Sequence, residues 1–245
     1  MISFRHFCAL AVLGAAMLAG CSAPHGQPAK GSEIPAPNEV LEFRALYGEN
    51  CAGCHGADGK GGAAISLSDP VYLAIVDDDT LRKDITNGIK GTSMAAFGQS
   101  AGGMLTSKQI DVLVSQIRAR WAKPGILARD NLPKPPSYAA TTAGDITRGE
   151  AAYKTFCESC HGPDGRGGPK GSSITDGSFL ALLTDQELRT MVIVGRPDRN
   201  APDWTNNVPG RPMSDQEISD VVAWLVSHRI PNPGQPYATA NKAQH

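Results

Sequence analysis

Two short stretches of the sequence decide the fold: Cys51-Ala-Gly-Cys54-His55 and Cys157-Glu-Ser-Cys160-His161. Each stretch has two cysteines three positions apart and a histidine directly after the second cysteine. On a helix, this spacing places both thiols on one turn, next to the imidazole. The two stretches lie 106 positions apart in a chain of 245 residues, so each belongs to its own half.

This spacing is the attachment pattern of c-type haem, in which two thiols bond to the macrocycle and the histidine ligates the iron. We therefore predict two covalently bound haem c groups. Their attachment sites are the four motif cysteines, Cys51, Cys54, Cys157 and Cys160. Their proximal iron ligands are the two motif histidines, His55 and His161.

Three other readings of the cysteines fit less well. A four-cysteine zinc site usually has its two pairs about 15–20 residues apart, far closer than here. A thioredoxin-like redox motif needs a βαβ setting, and no strand pattern surrounds either stretch. Disulfides alone would not explain a histidine after both pairs.

The haem motifs belong to an internal repeat. Residues 55–62 read His-Gly-Ala-Asp-Gly-Lys-Gly-Gly, and residues 161–168 read His-Gly-Pro-Asp-Gly-Arg-Gly-Gly. Apolar residues at helical spacing predict a helix before each motif, one in the middle of each half and one at its end. In the first half, the middle helix has its apolar face at Leu81, Ile85 and Ile89. Capping boxes predict three of the helix starts: Thr106-Ser-Lys-Gln109, Thr184-Asp-Gln-Glu187 and Ser214-Asp-Gln-Glu217.

With this order of elements, each half resembles a small class I c-type cytochrome, and the whole chain resembles a diheme cytochrome c. The resemblance covers residues 39–123 and 144–231, joined by a Pro-rich linker at 124–143. It implies an all-α fold of two tandem cytochrome c-like domains wrapped around haem. It also implies single-electron transfer through a partly exposed haem edge. The Gly-rich stretches lack the spacing of phosphate-binding loops, so we interpret them as tight turns against the haem.

Cytochromes of this family typically use a methionine sulfur as the second axial ligand of the iron. In the first half, Met94 lies six positions after Gly88 and in the family's register. We therefore expect Met94 to be the iron ligand, with Met104 as the nearest alternative.

The second half lacks this sulfur, because the same six-residue step from Gly195 reaches Ala201. Met213 is a tentative substitute, although its place directly before a predicted helix start favours a packing role. Met191 and His228 are further candidates, each on a predicted helix. We hypothesise that the second haem is high-spin or weakly ligated, with a lower potential than the first, and open to small ligands.

The N-terminus resembles that of a bacterial lipoprotein. Residues 7–19 form an apolar run about as long as a signal-peptide core, and the run ends in Leu18-Ala-Gly-Cys21, which is similar to a lipobox. We expect a signal peptide at 1–20, lipidation of Cys21 and a flexible tether at 21–38. An ordinary secretory signal with an incidental cysteine is the alternative. Residues 232–245 are expected to form a disordered tail.

Charge and motifs together restrict the function. With 23 basic and 24 acidic side chains the formal charge is −1, which gives no electrostatic basis for nucleic-acid binding. We expect a lipid-anchored carrier of single electrons on the periplasmic side of a bacterial membrane, either free or as a subunit of a complex. Its expected partners are redox proteins: a quinol-oxidising or dehydrogenase complex and a terminal oxidase. The alternative is an enzyme that reacts with peroxide or another small ligand at an open second haem.

Overall fold

The computed structural model describes residue 31 and residues 34–128 and 133–230. The expected signal peptide, Cys21 and the C-terminal tail lie outside the described residues. The described residues contain ten α-helices and no β-strand, with isolated bridges at Gly98–Leu105 and Arg196–Ala201. The all-α fold is thereby confirmed. None of the helices in these ranges has both the length and the hydropathy of a membrane span.

The first half has five helices. They are α1 (Phe43–Asn50), α2 (Ala52–His55), α3 (Pro70–Ile75), α4 (Asp78–Asn87) and α5 (Ser107–Trp121). Helix α1 packs against α5, and its Phe43 and Tyr47 rings both meet Trp121 edge-on. The motif helix α2 follows α1 directly and is therefore held beside this helix pair.

The second half repeats this order. Its helices are α6 (Ile146–Phe156), α7 (Glu158–His161), α8 (Gly177–Ala181), α9 (Asp185–Val194) and α10 (Asp215–Ser227). Helices α6 and α10 approach closely at Gly149, where an added Cβ would lie 2.1 Å from the carbonyl oxygen of Asp220. Next to this crossing, the rings of Tyr153 and Trp224 stack with centroids 4.2 Å apart.

The three capping boxes are confirmed. At each N-cap, the hydroxyl accepts from the backbone N–H three residues on, and the side chain there accepts from the N-cap N–H. Such caps satisfy helix-end donors that otherwise lack partners.

Two details differ from the sequence prediction. Helix α4 ends at Asn87, and Gly88 takes a φ of 66°, so including Ile89 in the helix was wrong. Glycine favours this left-handed region, which stops the helix. The short helices α3 and α8 were not predicted. The first of them starts at Pro70, and the carboxylate of Asp69 accepts from two backbone N–H groups of its first turn.

Residues 133–143 of the linker lie along the second half. The guanidinium of Arg189 donates to the backbone carbonyls of Ser137 and Tyr138 and pairs with Asp215. Arg189 is buried, and these acceptors satisfy it. Helix α9 of the second half also contacts α3 of the first. From Val40 onward, the described residues form one compact unit.

Candidate haem sites

The two motifs adopt the same local structure. The backbone angles φ and ψ are −120° and −36° at Cys51 and −123° and −32° at Cys157. The N–H of His55 donates to the Cys51 carbonyl, and that of His161 to the Cys157 carbonyl, both at 3.0 Å. Each motif is therefore one helical turn that brings two thiols and an imidazole together. All four motif cysteines are free of disulfides.

The first thiol of each motif is not activated as a nucleophile. Burial, together with the neighbouring thiol, raises the pKa of Cys51 to about 11 and the pKa of Cys157 to about 12. Redox-active thiols in Cys-x-x-Cys motifs have lowered pKa values instead. The thiols therefore do not fit a thioredoxin-like function.

Both histidines are oriented for iron ligation. The imidazole Nδ1–H of His55 donates to the Ile65 carbonyl at 2.8 Å, and that of His161 donates to the Ser172 carbonyl at 2.7 Å. Since a carbonyl only accepts, the ring proton is on Nδ1, and Nε2 keeps its lone pair for a metal. Burial also lowers the pKa of His55, against the effect of the Ile65 hydrogen bond. A neutral imidazole is the form that binds iron.

The loops after the histidines pack tightly against them. In the second half, a Cβ added to Gly171 would lie 2.9 Å from Nδ1 of His161. In the first half, the hydroxyl of Tyr47 donates to the Gly56 carbonyl at 2.9 Å, and Tyr153 makes the matching bond to Gly162. The Gly-rich stretches are tight turns, as the sequence predicts.

A cavity of about 480 Å³ opens beside the motif of the second half, and Cys157, Cys160 and His161 line it. Much of the remaining wall is apolar: Phe156, Ile174, Phe179, Leu188, Val221 and Leu225. Three basic side chains, Lys170, Arg196 and Arg199, also line it, and none of the described lining residues is acidic. Apolar walls suit a macrocycle and basic groups suit its carboxylates. The residues present therefore fit haem.

The distal loops of the two halves share one backbone pattern. The N–H of Ile89 donates to the Met94 carbonyl at 3.0 Å, and the N–H of Arg196 donates to the Ala201 carbonyl at 2.9 Å. Ala201 therefore occupies the backbone position of Met94. The next pair of hydrogen bonds joins Leu105 to Phe97 in the first half and Met213 to Trp204 in the second. By that pattern, Met213 corresponds to Leu105, which is buried in the core.

Of the possible ligands for a second iron, Met213 and Met191 line the cavity and His228 does not. Met213 is only 1% exposed. The His228 ring packs on Trp224, and its Nδ1–H donates to the Trp224 carbonyl at 2.9 Å. The sulfur candidates in the second half are therefore Met213, from the loop before α10, and Met191, from α9.

In the first half, Met94 lies in the loop after α4, half-buried against the core. Its N–H donates to the Thr92 hydroxyl at 3.0 Å. Met104, the alternative, is 82% exposed, which is unsuitable for ligating an enclosed iron.

Two polar groups of the second site were missed by sequence reasoning. The side-chain amide of Asn207, a cavity residue, lies 3.8 Å from the sulfur of Met213. The indole N–H of Trp204 is buried and has no hydrogen-bond partner among the described residues. An unpaired buried donor costs about 1–3 kcal/mol. The sequence does contain a signal for this unpaired donor. Trp204 stands at the position that Phe97 has in the first half, and an indole adds a donor that needs an acceptor.

Comparison with known proteins agrees with this geometry. The family model "Cytochrome c" matches residues 146–229, and the model "Cytochrome C oxidase, cbb3-type, subunit III" matches residues 38–115. The cbb3-type cytochrome c oxidase subunit CcoP of Azospirillum sp. (strain B510) is 30% identical over 151 residues, 55% of this chain and 45% of that protein. The cytochrome bc1 complex cytochrome c subunit of Mycobacterium bovis is 22% identical over 198 residues, 78% of this chain and 64% of that protein.

Among solved structures, the Kuenenia stuttgartiensis reducing HAO-like protein complex Kustc0457/Kustc0458 is 19% identical, with a TM-score of 0.45 over 80% of this chain and 100% of that chain. The chain spans about half the length of the CcoP and FixP relatives that it matches. Each half of the chain is a cytochrome c-type domain, and two such domains make it a diheme c-type cytochrome. Domains of this type carry covalently bound haem c.

Proposed function

We propose that this protein is a diheme electron carrier of a bacterial respiratory chain. The observation that carries the proposal is the duplicated turn in which two thiols and an Nε2 lone pair converge. Haem bound at these sites supplies one-electron transfer between its ferric and ferrous states. The four cysteines fix its position, the two histidines ligate the iron, and the backbone carbonyls of Ile65 and Ser172 hold each imidazole in the ligating tautomer.

For the distal ligands we propose Met94 in the first half and Met213 in the second. Met94 is supported as a ligand by its position six residues after Gly88, which matches the family's register, and by the packing of its side chain against the core. Met213 is supported by its burial, its place in the cavity with His161, and the amide of Asn207 next to its sulfur. A loop residue is also freer to meet the iron than Met191, which is held within α9.

The names of the relatives support the proposed partners. These relatives are subunits of a cytochrome c oxidase and of a cytochrome bc1 complex. We propose that this protein likewise exchanges electrons with a quinol-oxidising or dehydrogenase complex and a terminal oxidase, as a free carrier or as a bound subunit.

The test of the carrier function is a haem count followed by redox titration. The protein, expressed with a cytochrome maturation system, should hold two haems per chain that stay attached after denaturation. Both should be reduced and reoxidised reversibly in one-electron steps, with no sustained peroxide consumption. A ratio of one, or haem lost on denaturation, contradicts the proposal. Peroxide turnover would favour the enzyme alternative, which rests on Ala201 standing where Met94 stands in the first half.

We further propose that a lipid on Cys21 anchors the protein to the membrane, with both domains in the periplasm. Two or more acyl chains anchor a protein stably, while a single chain gives marginal binding. The change Cys21→Ser should move the protein from the membrane to the soluble fraction. Cys8→Ser is the matched control, because Cys8 lies within the expected signal peptide, and it should leave the distribution unchanged. If Cys21→Ser stays in the membrane as fully as the wild type, some other attachment holds it there, such as a protein partner or the uncleaved signal peptide.

A further inference from the structure

A cluster of polar contacts joins the two domains where the second distal loop meets the Gly-rich loop of the first half. The Arg196 guanidinium donates to the Gly62 carbonyl at 2.9 Å, and that of Arg199 donates to the same oxygen at 3.2 Å. In the other direction, the Gly61 N–H donates to the Asp198 carboxylate at 3.2 Å. We call these five residues, Gly61, Gly62, Arg196, Asp198 and Arg199, the interdomain clamp.

The clamp is also a wall of the second haem cavity. Arg196 and Arg199 line the cavity, as does Ala63 next to Gly62, whereas Asp198 does not. Arg196 and Asp198 form a two-pronged ion pair, with distances of 3.0 and 2.8 Å. The pair is therefore oriented with its positive member toward the cavity. Its side chains are only 15% and 13% exposed, so water screens the charges incompletely.

The first half has no equivalent of this ion pair in its distal loop. By the hydrogen-bond register of Met94 and Ala201, Ile89 stands at the position of Arg196 and Gly91 at that of Asp198. An aliphatic side chain and a glycine cannot form an ion pair. The second distal loop therefore lacks a sulfur at the position of Met94. It has instead an ion pair and contacts with the other domain.

We propose that Arg196 is a positioning residue that links the reduction potential of the second haem to the docking of the first domain. Asp198 and the Gly62 carbonyl hold its guanidinium at the cavity, where it would pair with the carboxylate side chains of a bound haem. A fixed positive charge favours the ferrous form, which carries one more electron than the ferric form, so the closed clamp raises the potential of the second haem. This proposal rests on the proposed function, since haem must occupy the second cavity.

The test is a spectroelectrochemical titration of the full, haem-loaded chain in three variants. In Arg196→Gln, the ratio of ferrous to ferric second haem at a fixed applied potential should fall about tenfold, which is about 59 mV for a one-electron couple. In Asp198→Asn the ratio should also fall, but by less than in Arg196→Gln, because the guanidinium loses the partner that holds it at the cavity while a negative charge is removed as well. Arg166→Gln is the matched control, since Arg166 is an exposed arginine of the same half outside the cavity lining. The ratio there should stay within about twofold, because exposed charges are screened by salt.

A fall of the ratio in both variants, with the haem count and the absorption spectrum of each haem unchanged, is the result that a merely structural role does not give. No fall of the ratio in Arg196→Gln, or a rise in Asp198→Asn, overturns the proposal, because the potential then does not depend on the closed clamp. The haem count separates this failure from that of the proposed function. Two covalent haems with unmoved potentials contradict only the role of Arg196, whereas a missing second haem contradicts the proposed function itself.

Hydrogen exchange tests the docking independently of the redox chemistry. The amide of Gly61 should be protected in the wild type and lose protection in Asp198→Ala, which removes its acceptor. An unprotected Gly61 amide in the wild type shows that the clamp is open in solution and overturns the proposal.

Discussion

The two distal loops are closed by a matching backbone hydrogen bond and have opposite chemistry. In the first half the loop from Ile89 to Met94 presents a sulfur and no ion pair, and in the second the loop from Arg196 to Ala201 presents an ion pair and no sulfur. The hydrogen bond that closes each loop is the same within 0.1 Å, at 3.0 and 2.9 Å. The two repeats therefore keep the hydrogen bond that closes the distal loop, while the side chains around each haem site differ.

The largest expected effect is the loss of one haem. The double change Cys157→Ala and Cys160→Ala should lower the covalent haem count from two per chain to one, because each half has its own attachment turn. The mirror change at Cys51 and Cys54 should leave the other haem. Ser159→Ala, inside the second motif, is the control and should keep both. If either double variant loses both haems, the halves do not load independently and the comparison fails.

The second largest expected effect is the loss of a distal sulfur ligand. Met213→Leu removes the sulfur and places in the second half the residue type that the first half has at Leu105, which preserves packing. We expect two low-spin haems in the wild type by electron paramagnetic resonance, and one high-spin haem in Met213→Leu and in Met94→Leu. Carbon monoxide should then bind each reduced variant at about one site per chain. Met104→Leu, at an exposed position, is the control.

A different result would restore the hypothesis of an open second haem. If the wild type already has one high-spin haem that binds carbon monoxide, and Met213→Leu changes nothing, Met213 only packs. In that case Ala201→Met should convert the second haem to low-spin and abolish the gas binding.

The helix crossings differ as well. Phe43 in the first half aligns with Gly149 in the second, four positions before the matching tyrosines. An added Cβ at Gly149 meets backbone at 2.1 Å, whereas one at Gly48 of α1 meets nothing within 4 Å. Gly149→Ala should lower the free energy of unfolding by about 1–3 kcal/mol or more. Gly48→Ala should raise it by about 0.5–1 kcal/mol. Guanidinium unfolding measures both changes, and equal shifts would show that Gly149 is not confined at the crossing of α6 and α10.

The smallest expected effect is the loss of a helix N-cap, which should destabilise both halves by a similar amount. Thr106→Ala and Ser214→Ala each remove the N-cap of a terminal helix and should each cost about 1 kcal/mol. Ser115→Ala on the exposed side of α5 is the control and should lie within about 0.5 kcal/mol of the wild type. Thermal unfolding followed by circular dichroism measures these changes. A clear difference between the two cap variants would mean that the terminal helices contribute unequally.

Sequence reasoning succeeded where the signal was local. The haem turns, the capping boxes and the alignment of Ala201 with Met94 depend on residues within a few positions of one another, and the structure has them as expected. The end of α4 was one local error, because Ile89 was counted in the apolar period although Gly88 before it stops the helix.

The features that sequence reasoning missed depend on tertiary contacts. Arg-Pro-Asp-Arg at 196–199 reads as a solvated loop, and nothing near it in sequence points to Gly62. The sequence also did not show that Met213 lines the cavity. Its position directly before a helix start indicates a packing role, and a packed side chain can line a cavity as well. The unpaired indole of Trp204 follows from burial, which a sequence does not show.

The clamp has a consequence for the order of folding. Its hydrogen bonds join residues 134 and 137 positions apart, whereas those that fix the linker to α10 span 78 positions and those between α6 and α10 span up to 75. The entropy lost in closing a loop grows with its length, and non-local contacts form late. The clamp should therefore close last, after each half has its own core. The kinetic barrier to opening it is then separate from the barrier to unfolding either half.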